Sequence, residues 1–588
     1  MNSPEEKNTL HDFFLHSWHP YAWLLLIAFL LYARVLAFTE YTHYDDYYLI
    51  VDNYVHIKSF SSLGHAFLED VSHQGQGGNL YRPLLTISFM LSAQLSGTLP
   101  FGYHLLDIIL HAASCCLLFS ALQALGFRKK SAFYGTLLFC VHPVLTQAVA
   151  WIAGRNDSLL AVFILLGFMS VNNFLSTHRM KWYILHLLCF ACAMFTKESA
   201  ILFPLMMIVY SWVVRKDKIL SMITALLIVG WIVILVNWQI VRSAAMVVPV
   251  GTVQQSATAI LSNLPLAVYY LGKIFWPFDL AFAPVLRDAH STAGILSLAV
   301  LGVAVLFSER REWSMILFGA LWFLVFLLPT FYYNISVQAA SKFYEHRIYI
   351  PFMGIIFLLL SLSYQKRMQS LKGAVAVATI LMVCVLGFLS YRHTSDYTNS
   401  LTLGEYDAAT SPNDPGPYKE ITRMTMPPAL TAALRAQSGS LPAGEGDQLR
   451  VTKEDLWQII NHLQVQLNAH PQDPTLLHAL AVAEFARGLA SSSEKNFLAA
   501  FHRTPTDAVI PYNLGILYYS AHDVKKAEQA WEQALELDPS MGKAHLNLTY
   551  LFYESGRYAA AWNHCQQARR QGMEIPSRLS EDIRNHGL

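Results

Sequence analysis

Charge is what this chain has least of. Of its 588 residues, 14% are Asp, Glu, Lys or Arg, against about 25% in a soluble domain. That scarcity excludes a wholly soluble protein. The apolar excess sits in the first 392 residues, where runs such as YAWLLLIAFLLYARVLAF recur. Net charge is lacking too. With 41 basic and 40 acidic residues the balance is +1, so nothing favours a polyanion, and nucleic acid is not an expected partner. Cysteine is sparse and scattered: Cys115, Cys116, Cys140, Cys189, Cys192, Cys384 and Cys565. Cys189 and Cys192 form a CxxC, but inside an apolar run, so buried structural thiols are expected rather than a metal or disulfide site. The first apolar run, Tyr21 to Phe38, lacks a small-residue cleavage pattern after it and reads as a retained anchor.

What is present is a series of apolar segments. A span needs about 20 mostly apolar residues to cross a hydrocarbon core of roughly 30 Å. Eleven segments qualify: 21–38, 103–124, 132–152, 158–176, 182–197, 199–215, 219–241, 293–308, 314–333, 348–364 and 372–392. The pair 182–197 and 199–215 also fits one bent hairpin. Segments 83–96 and 259–277 are apolar but awkward, and suit either the membrane surface or a re-entrant course. Basic clusters follow alternate spans: Arg128-Lys129-Lys130, Arg179 with Lys181, Arg215-Lys216 with Lys218, Arg310-Arg311, and Lys366-Arg367. Cytoplasmic loops carry such clusters. A cytoplasmic N-terminus puts all five on one side. The loop 39–102 and everything after 392 are then expected outside the cytoplasm.

Residues 393–450, with SPNDPGPYKE and SGSLPAGEGD, are expected to be a linker. Beyond it the period changes. Pro471, Pro505 and Pro539 recur every 34 residues, and Asn513-Leu514-Gly515, Tyr518, Ala527, Trp531 and Ala534 fit the tetratricopeptide pattern. Units at about 474–507, 508–541 and 542–575 make residues 451–588 an α-solenoid in which stacked units bury a core that no single unit can. The fold class is therefore all-α: a polytopic membrane helical bundle followed by a helical repeat domain.

Charged groups in spans or at their mouths are costly and mark candidate sites. The first loop opens THYDDYYLIVDN, with Asp45 and Asp46 flanked by Tyr44, Tyr47 and Tyr48. Adjacent carboxylates at a membrane mouth suit general-base work or metal binding. They equally suit an aromatic belt with solvated acids. Tyr81-Arg82-Pro83 closes the loop. His104, Asp107 and His111 share one helix face, where interhelical hydrogen bonding is the expected role. His142-Pro143 lies within the third span, and Arg155-Asn156-Asp157 follows it on the outer side. Lys197-Glu198 lies between two spans, and Lys342, His346 and Arg347 precede the tenth. These cations converge on the side of the first-loop acids, as an anionic phosphate head group requires.

At these residues the chain resembles the GT-C glycosyltransferases, and within them the transmembrane and tetratricopeptide repeat-containing O-mannosyltransferases. The matching motifs are Asp45-Asp46, NLYRPLLTISFMLS at 79–92, FGYHLLDIILHA at 101–112, LFCVHPVLTQAVAWIAGRNDSLLA at 138–161, MFTKESAILFPL at 194–205 and FYEHRIYIPFMG at 343–354. Their order and spacing cover nearly all of 39–364, and the terminal repeats extend the match.

The resemblance implies an inverting transfer of a sugar, mannose in the family, from a polyprenyl-phosphate donor to a Ser or Thr hydroxyl of an extracytoplasmic protein. Asp45 and Asp46 are the expected catalytic pair. Arg347, His346, Lys197, Arg82 and Arg155 are expected on the donor phosphate, with Tyr81, His142, Asp157 and Glu198 as further site candidates. No cofactor is implied, although a divalent cation is compatible with the paired acids. The expected partners are the lipid-linked donor, membrane lipids and an acceptor protein that the repeats are placed to hold. The compact loops suggest a bacterial-type relative, hence an inner membrane with the C-terminal domain outside the cytoplasm; in a eukaryote the repeats would be lumenal. Two alternatives share the pattern: a GT-C enzyme acting on a lipid or surface polysaccharide, and a non-enzymatic repeat scaffold for envelope assembly.

Overall fold

The computed structural model describes residues 15–42, 44–71, 80–217, 222–245, 260–285, 288–332, 343–363, 372–411 and 471–571, with parts of 460–468 and 573–587. The chain divides between positions 413 and 414 into two compact units.

The first unit is built of apolar helices: α1 (His19–Tyr32), α2 (Pro83–Ser96), α3 (Pro100–Ala124), α4 (Lys129–Val141), α5 (Arg155–Thr177), α6 (Met180–Thr196), α7 (Phe203–Val209) and α8 (Met222–Ala245). It continues through α9 (Leu266–Phe275), α10 (Thr292–Phe307), α11 (Trp313–Tyr332), α12 (Tyr349–Leu360), α13 (Lys372–His393) and α14 (Ser400–Thr410). Among the described residues six helices are long and apolar enough to cross a membrane, or seven if α4 and its bent continuation count as one. The segments 182–197, 199–215 and 293–308 fall on shorter apolar helices, as do 83–96 and most of 259–277.

The expected span 132–152 is broken. Helix α4 ends at Val141, and Pro143–Ala150 turns away by 56°. Pro143 has no N–H to continue the ladder and forces the preceding residue out of the helical region; His142 accordingly sits at φ −79°, ψ 123°. Close approach also shapes the bundle. A Cβ on Gly319 of α11 would collide with the carbonyl of Gly354 on α12, and the reverse holds, so only glycine lets these backbones touch. Among the basic clusters, Lys129 donates to the Ser17 carbonyl and Arg215 reaches Asn172 and Ser176, while strands β1 (Arg310–Arg311) and β2 (Leu362–Ser363) pair antiparallel.

Residues 393–411 are not linker. Past α13 the chain makes a tight turn at Thr394–Tyr397, and the Asn399 side chain then caps α14 by accepting the Thr402 N–H. Tyr397, Leu403 and Asp407 are buried. These few apolar and hydrogen-bonding positions anchor a segment whose composition alone looks too polar to fold.

The second unit consists of helical hairpins: α15 (Pro474–Arg487) with α16 (Ala490–Arg503), α17 (Val509–Ser520) with α18 (Val524–Leu537), and α19 (Gly542–Glu554) with α20 (Tyr558–Arg570), followed by α21 (Ser577–Gly587). Ala527, Trp531 and Ala534 share one core with Tyr512, Leu548 and Phe552 of the neighbouring helices. The Trp531 indole donates to the Tyr512 carbonyl at 3.1 Å, and a Cβ on Gly515 would collide with that indole. The large residue at one pattern position thus fits only because the other is glycine.

Candidate active site

The chain leaves α1 through a short 3₁₀ turn and extends to Thr42. Residues 45–46 then open a helical turn that widens over Tyr47–Asp52. Successive side chains on such a turn diverge by about 100°, so the two acids cannot face the same way. Asp46 turns inward. Its Oδ2 accepts from the Thr42 hydroxyl at 2.7 Å and its Oδ1 from the Ala153 N–H at 2.7 Å. Burial pushes its pKa up to about 7 against those two hydrogen bonds. Asp45 instead lines a cavity of about 630 Å³.

The same cavity gathers most of the expected cations. Arg82, Lys197, His346 and Arg347 line it, together with Asp157 and Glu198. Lys197 sits just beyond the end of α6, in extended conformation, and its ammonium lies 2.7 Å from both Asp157 oxygens. Burial, with Arg82 and Arg347 nearby, lowers the Lys197 pKa to about 8 despite Asp157. Arg82 pairs with Glu198 at 3.0 Å. The Arg347 guanidinium lies 5.3 Å from the Tyr344 ring centroid. His346 is held by Gln147, whose Oε1 receives both the backbone N–H at 2.6 Å and the ring Nδ1–H at 3.1 Å. Gln147 is itself oriented by donating to the Phe282 carbonyl.

Besides Asp46, three expected site residues do not reach the cavity, and His346 does not carry the charge expected of it. Arg155 is 0% exposed. Its guanidinium is spent on Asp107 of α3, on Ser88 and Ser92 of α2, and on the Tyr103 carbonyl. Arg155 is therefore a buried joint between α2, α3 and α5, because a buried Arg must satisfy its donors inside the protein. Tyr81 is buried and donates to the Phe67 carbonyl. His142 donates from Nε2 to the Ile274 carbonyl, and its Nδ1 accepts the Val144 N–H, closing the bend after α4. As for His346, burial and the charges of Lys197, Arg347 and Arg82 hold its pKa well below the usual value, so it is neutral at pH 7 and offers Nε2, 3.7 Å from Asp157, as an acceptor. Lys342 lies outside the described residues.

Three residues that shape the site carried no signal in the sequence. Trp151 and Tyr344 both line the cavity, with rings stacked at 5.8 Å and 15°. Gln147 reads as one more polar residue in an apolar run, and only its contact with His346, 199 positions away, reveals its role. The expected interhelical role of His111 is observed, with its Nδ1 2.7 Å from the Tyr349 hydroxyl. Among the described residues, the one group of His, Cys, Asp or Glu side chains close enough to share a metal is His111, Cys115 and Cys140, none of which lines the cavity.

Residues 83–240 match the family described as dolichyl-phosphate-mannose-protein mannosyltransferase. The human protein O-mannosyl-transferase TMTC1 is 36% identical over 149 residues, covering 24% of this chain and 16% of that protein. Human TMTC2 is 34% identical over 147 residues, covering 23% and 18%. Mouse TMTC4 is 33% identical over 184 residues, covering 27% and 25%. The alignments thus span at most a quarter of these relatives' own length. Among solved structures, MamA from Desulfovibrio magneticus RS-1 aligns with 29% of this chain and 84% of its own at 17% identity, with a TM-score of 0.22. Apolar helices long enough to cross a membrane and a terminal unit of helical hairpins thus accompany a segment that is similar to the dolichyl-phosphate-mannose-protein mannosyltransferases. Over about a quarter of its length the chain is similar to these protein O-mannosyl-transferases.

Proposed function

We propose that this protein transfers a sugar, mannose by analogy with its relatives, from a polyprenyl-phosphate donor to a Ser or Thr hydroxyl of an extracytoplasmic protein. The observation that carries this reading is the shared cavity: Asp45 lines the same space as Arg82, Lys197 and Arg347.

Asp45 takes the proton from the acceptor hydroxyl. The oxygen attacks the anomeric carbon from the face opposite the leaving group, the bond from that carbon to the phosphate oxygen breaks, and the sugar inverts. The lipid phosphate departs with the bonding electrons, and Arg82, Lys197 and Arg347 stabilise its growing charge. Neutral His346 contributes a hydrogen bond rather than a charge. Arg82 and Lys197 are already paired with Glu198 and Asp157, so the carboxylates hold the cations in place until the phosphate replaces part of their role. The stacked Trp151 and Tyr344 give the cavity an apolar wall for a sugar ring. Asp46 anchors the turn that presents Asp45.

The basic loops that follow alternate spans support a cytoplasmic N-terminus and an extracytoplasmic site and repeat unit. A reporter fused at residue 420 is then active only outside the cytoplasm; activity inside would put the acids on the wrong side. The transfer itself is tested with purified protein in lipid bilayers, polyprenyl-phosphate mannose and a candidate acceptor protein, read by intact mass. Hexose added to the protein by wild type but not by Asp45→Asn supports the proposal. Hexose appearing on lipid or glycan alone would favour the polysaccharide reading. No transfer to any acceptor by a folded protein would favour the scaffold.

A further inference from the structure

Residues 393–411 bring a second part of the chain against the site. Helix α14 is joined to the strand-like stretch before Asp45 at two points. Ser400 donates to the Tyr41 carbonyl at 3.0 Å, and the Tyr44 hydroxyl donates to Asp407 Oδ2 at 3.0 Å. Tyr41 and Tyr44 precede Asp45 by four residues and one, whereas their partners lie 359 and 363 positions away in the chain. Asp407 is 0% exposed, so a buried carboxylate holds the residue adjacent to the proposed base. The Tyr44 ring packs at 4.8 Å on Phe282, which in turn touches Tyr397 of the same segment and both Trp151 and Tyr344 of the cavity wall.

We propose that residues 393–411 form a strap that positions the site, and that Asp407 is a positioning residue for Asp45, acting through Tyr44. The proposal rests on the reading of Asp45 as the base. A proton acceptor works only within hydrogen-bond reach of the hydroxyl it serves, and a displacement of about 1 Å can cost on the order of a hundredfold in rate. A turn on a loop does not hold such a tolerance by itself. The buried hydrogen bond from the Tyr44 hydroxyl to Asp407 supplies the restraint, and the cap at Asn399 keeps α14 formed so that Asp407 stays in register.

The test uses the full-length protein in lipid bilayers with Tyr44→Phe, Asp407→Leu, Asp407→Asn and the Tyr44→Phe/Asp407→Leu double variant. Turnover, KM for polyprenyl-phosphate mannose, and hydrogen exchange of amides 44–52 are measured. Tyr44→Phe and Asp407→Leu are expected to lower kcat about tenfold or more with donor KM unchanged. The double variant should be no worse than either single, and Asp407→Asn, which keeps an acceptor oxygen, should recover most of the rate. Amides 44–52 should exchange faster in both single variants while those of α3 and α5 do not. Wild-type kcat in both single variants, or losses that multiply in the double variant, would overturn the strap. So would a fall in kcat matched by loss of folded protein. If wild type transfers no sugar, the function reading fails by itself. Hydrogen exchange then decides the strap, and unchanged exchange of 44–52 would overturn it.

Discussion

Asp45 and Asp46 are neighbours in the chain with opposite surroundings: Asp45 lines the cavity, while Asp46 is bound to the Ala153 amide 107 positions away. Two acids that read alike in the sequence thereby have different surroundings, one at a cavity and one tied into the turn.

The first prediction separates them. Asp45→Asn is expected to reduce turnover by about a hundredfold to ten-thousandfold, the usual loss on removing a general base, while leaving the protein folded. Asp46→Asn keeps an oxygen for the Ala153 amide and should retain most activity. Asp46→Ala leaves that buried amide without an acceptor and should cost about 1–3 kcal/mol of stability, seen as a lower Tm. Equal loss of turnover in both Asn variants, with unchanged Tm, would assign the chemistry to the pair.

The second concerns pH. The Lys197 pKa is lowered to about 8, so its charge is present below that pH and lost above it. kcat/KM for the anionic donor should therefore fall as pH rises through about 8. Lys197→Arg, whose guanidinium stays charged, should move that limb to higher pH. Neutral His346 should add no limb near its usual value. A profile flat to pH 10 in wild type would remove Lys197 from donor binding.

Two of the three arginines expected on the phosphate should part company. Arg155→Ala leaves Asp107 buried and uncompensated, a loss on the order of 3–5 kcal/mol, and should abolish folded protein rather than donor affinity. Arg347→Ala should fold with near-normal Tm and raise donor KM. Arg347→Lys should restore only part, because an ammonium cannot span two phosphate oxygens. Thermal unfolding and donor titration in one preparation distinguish the two.

The repeat unit is predicted to recruit the acceptor. Stacked repeats form a groove suited to an extended peptide, and tethering raises the local acceptor concentration, to the order of millimolar for a flexible link. Deleting residues 451–588 should sharply lower glycosylation of the native acceptor at limiting concentration, while transfer to a short peptide at high concentration survives. Equal glycosylation of the native acceptor by both forms would leave the repeats with an assembly role only.

Much was legible in the sequence because it depends on local pattern. The apolar runs, the alternation of basic loops and the 34-residue period each follow from what a bilayer or a helical hairpin demands of adjacent residues. The candidate acids and Arg82, Lys197, His346 and Arg347 were legible too, since a charge beside an apolar run is costly and stands out. Which charges face the cavity was decided only by tertiary structure. Arg155 and Arg82 are equally conspicuous in the chain, yet one is consumed by Asp107 and the Ser88 and Tyr103 carbonyls while the other lines the cavity. Gln147 gains its role only when His346 arrives, and residues 393–411, polar enough to read as linker, become part of the membrane unit through Tyr44 and Tyr41. Local pattern prescribes helices and their ends because it acts through neighbours within a turn or two. The partner of a buried polar atom is chosen by packing between distant elements, which no single stretch of residues encodes.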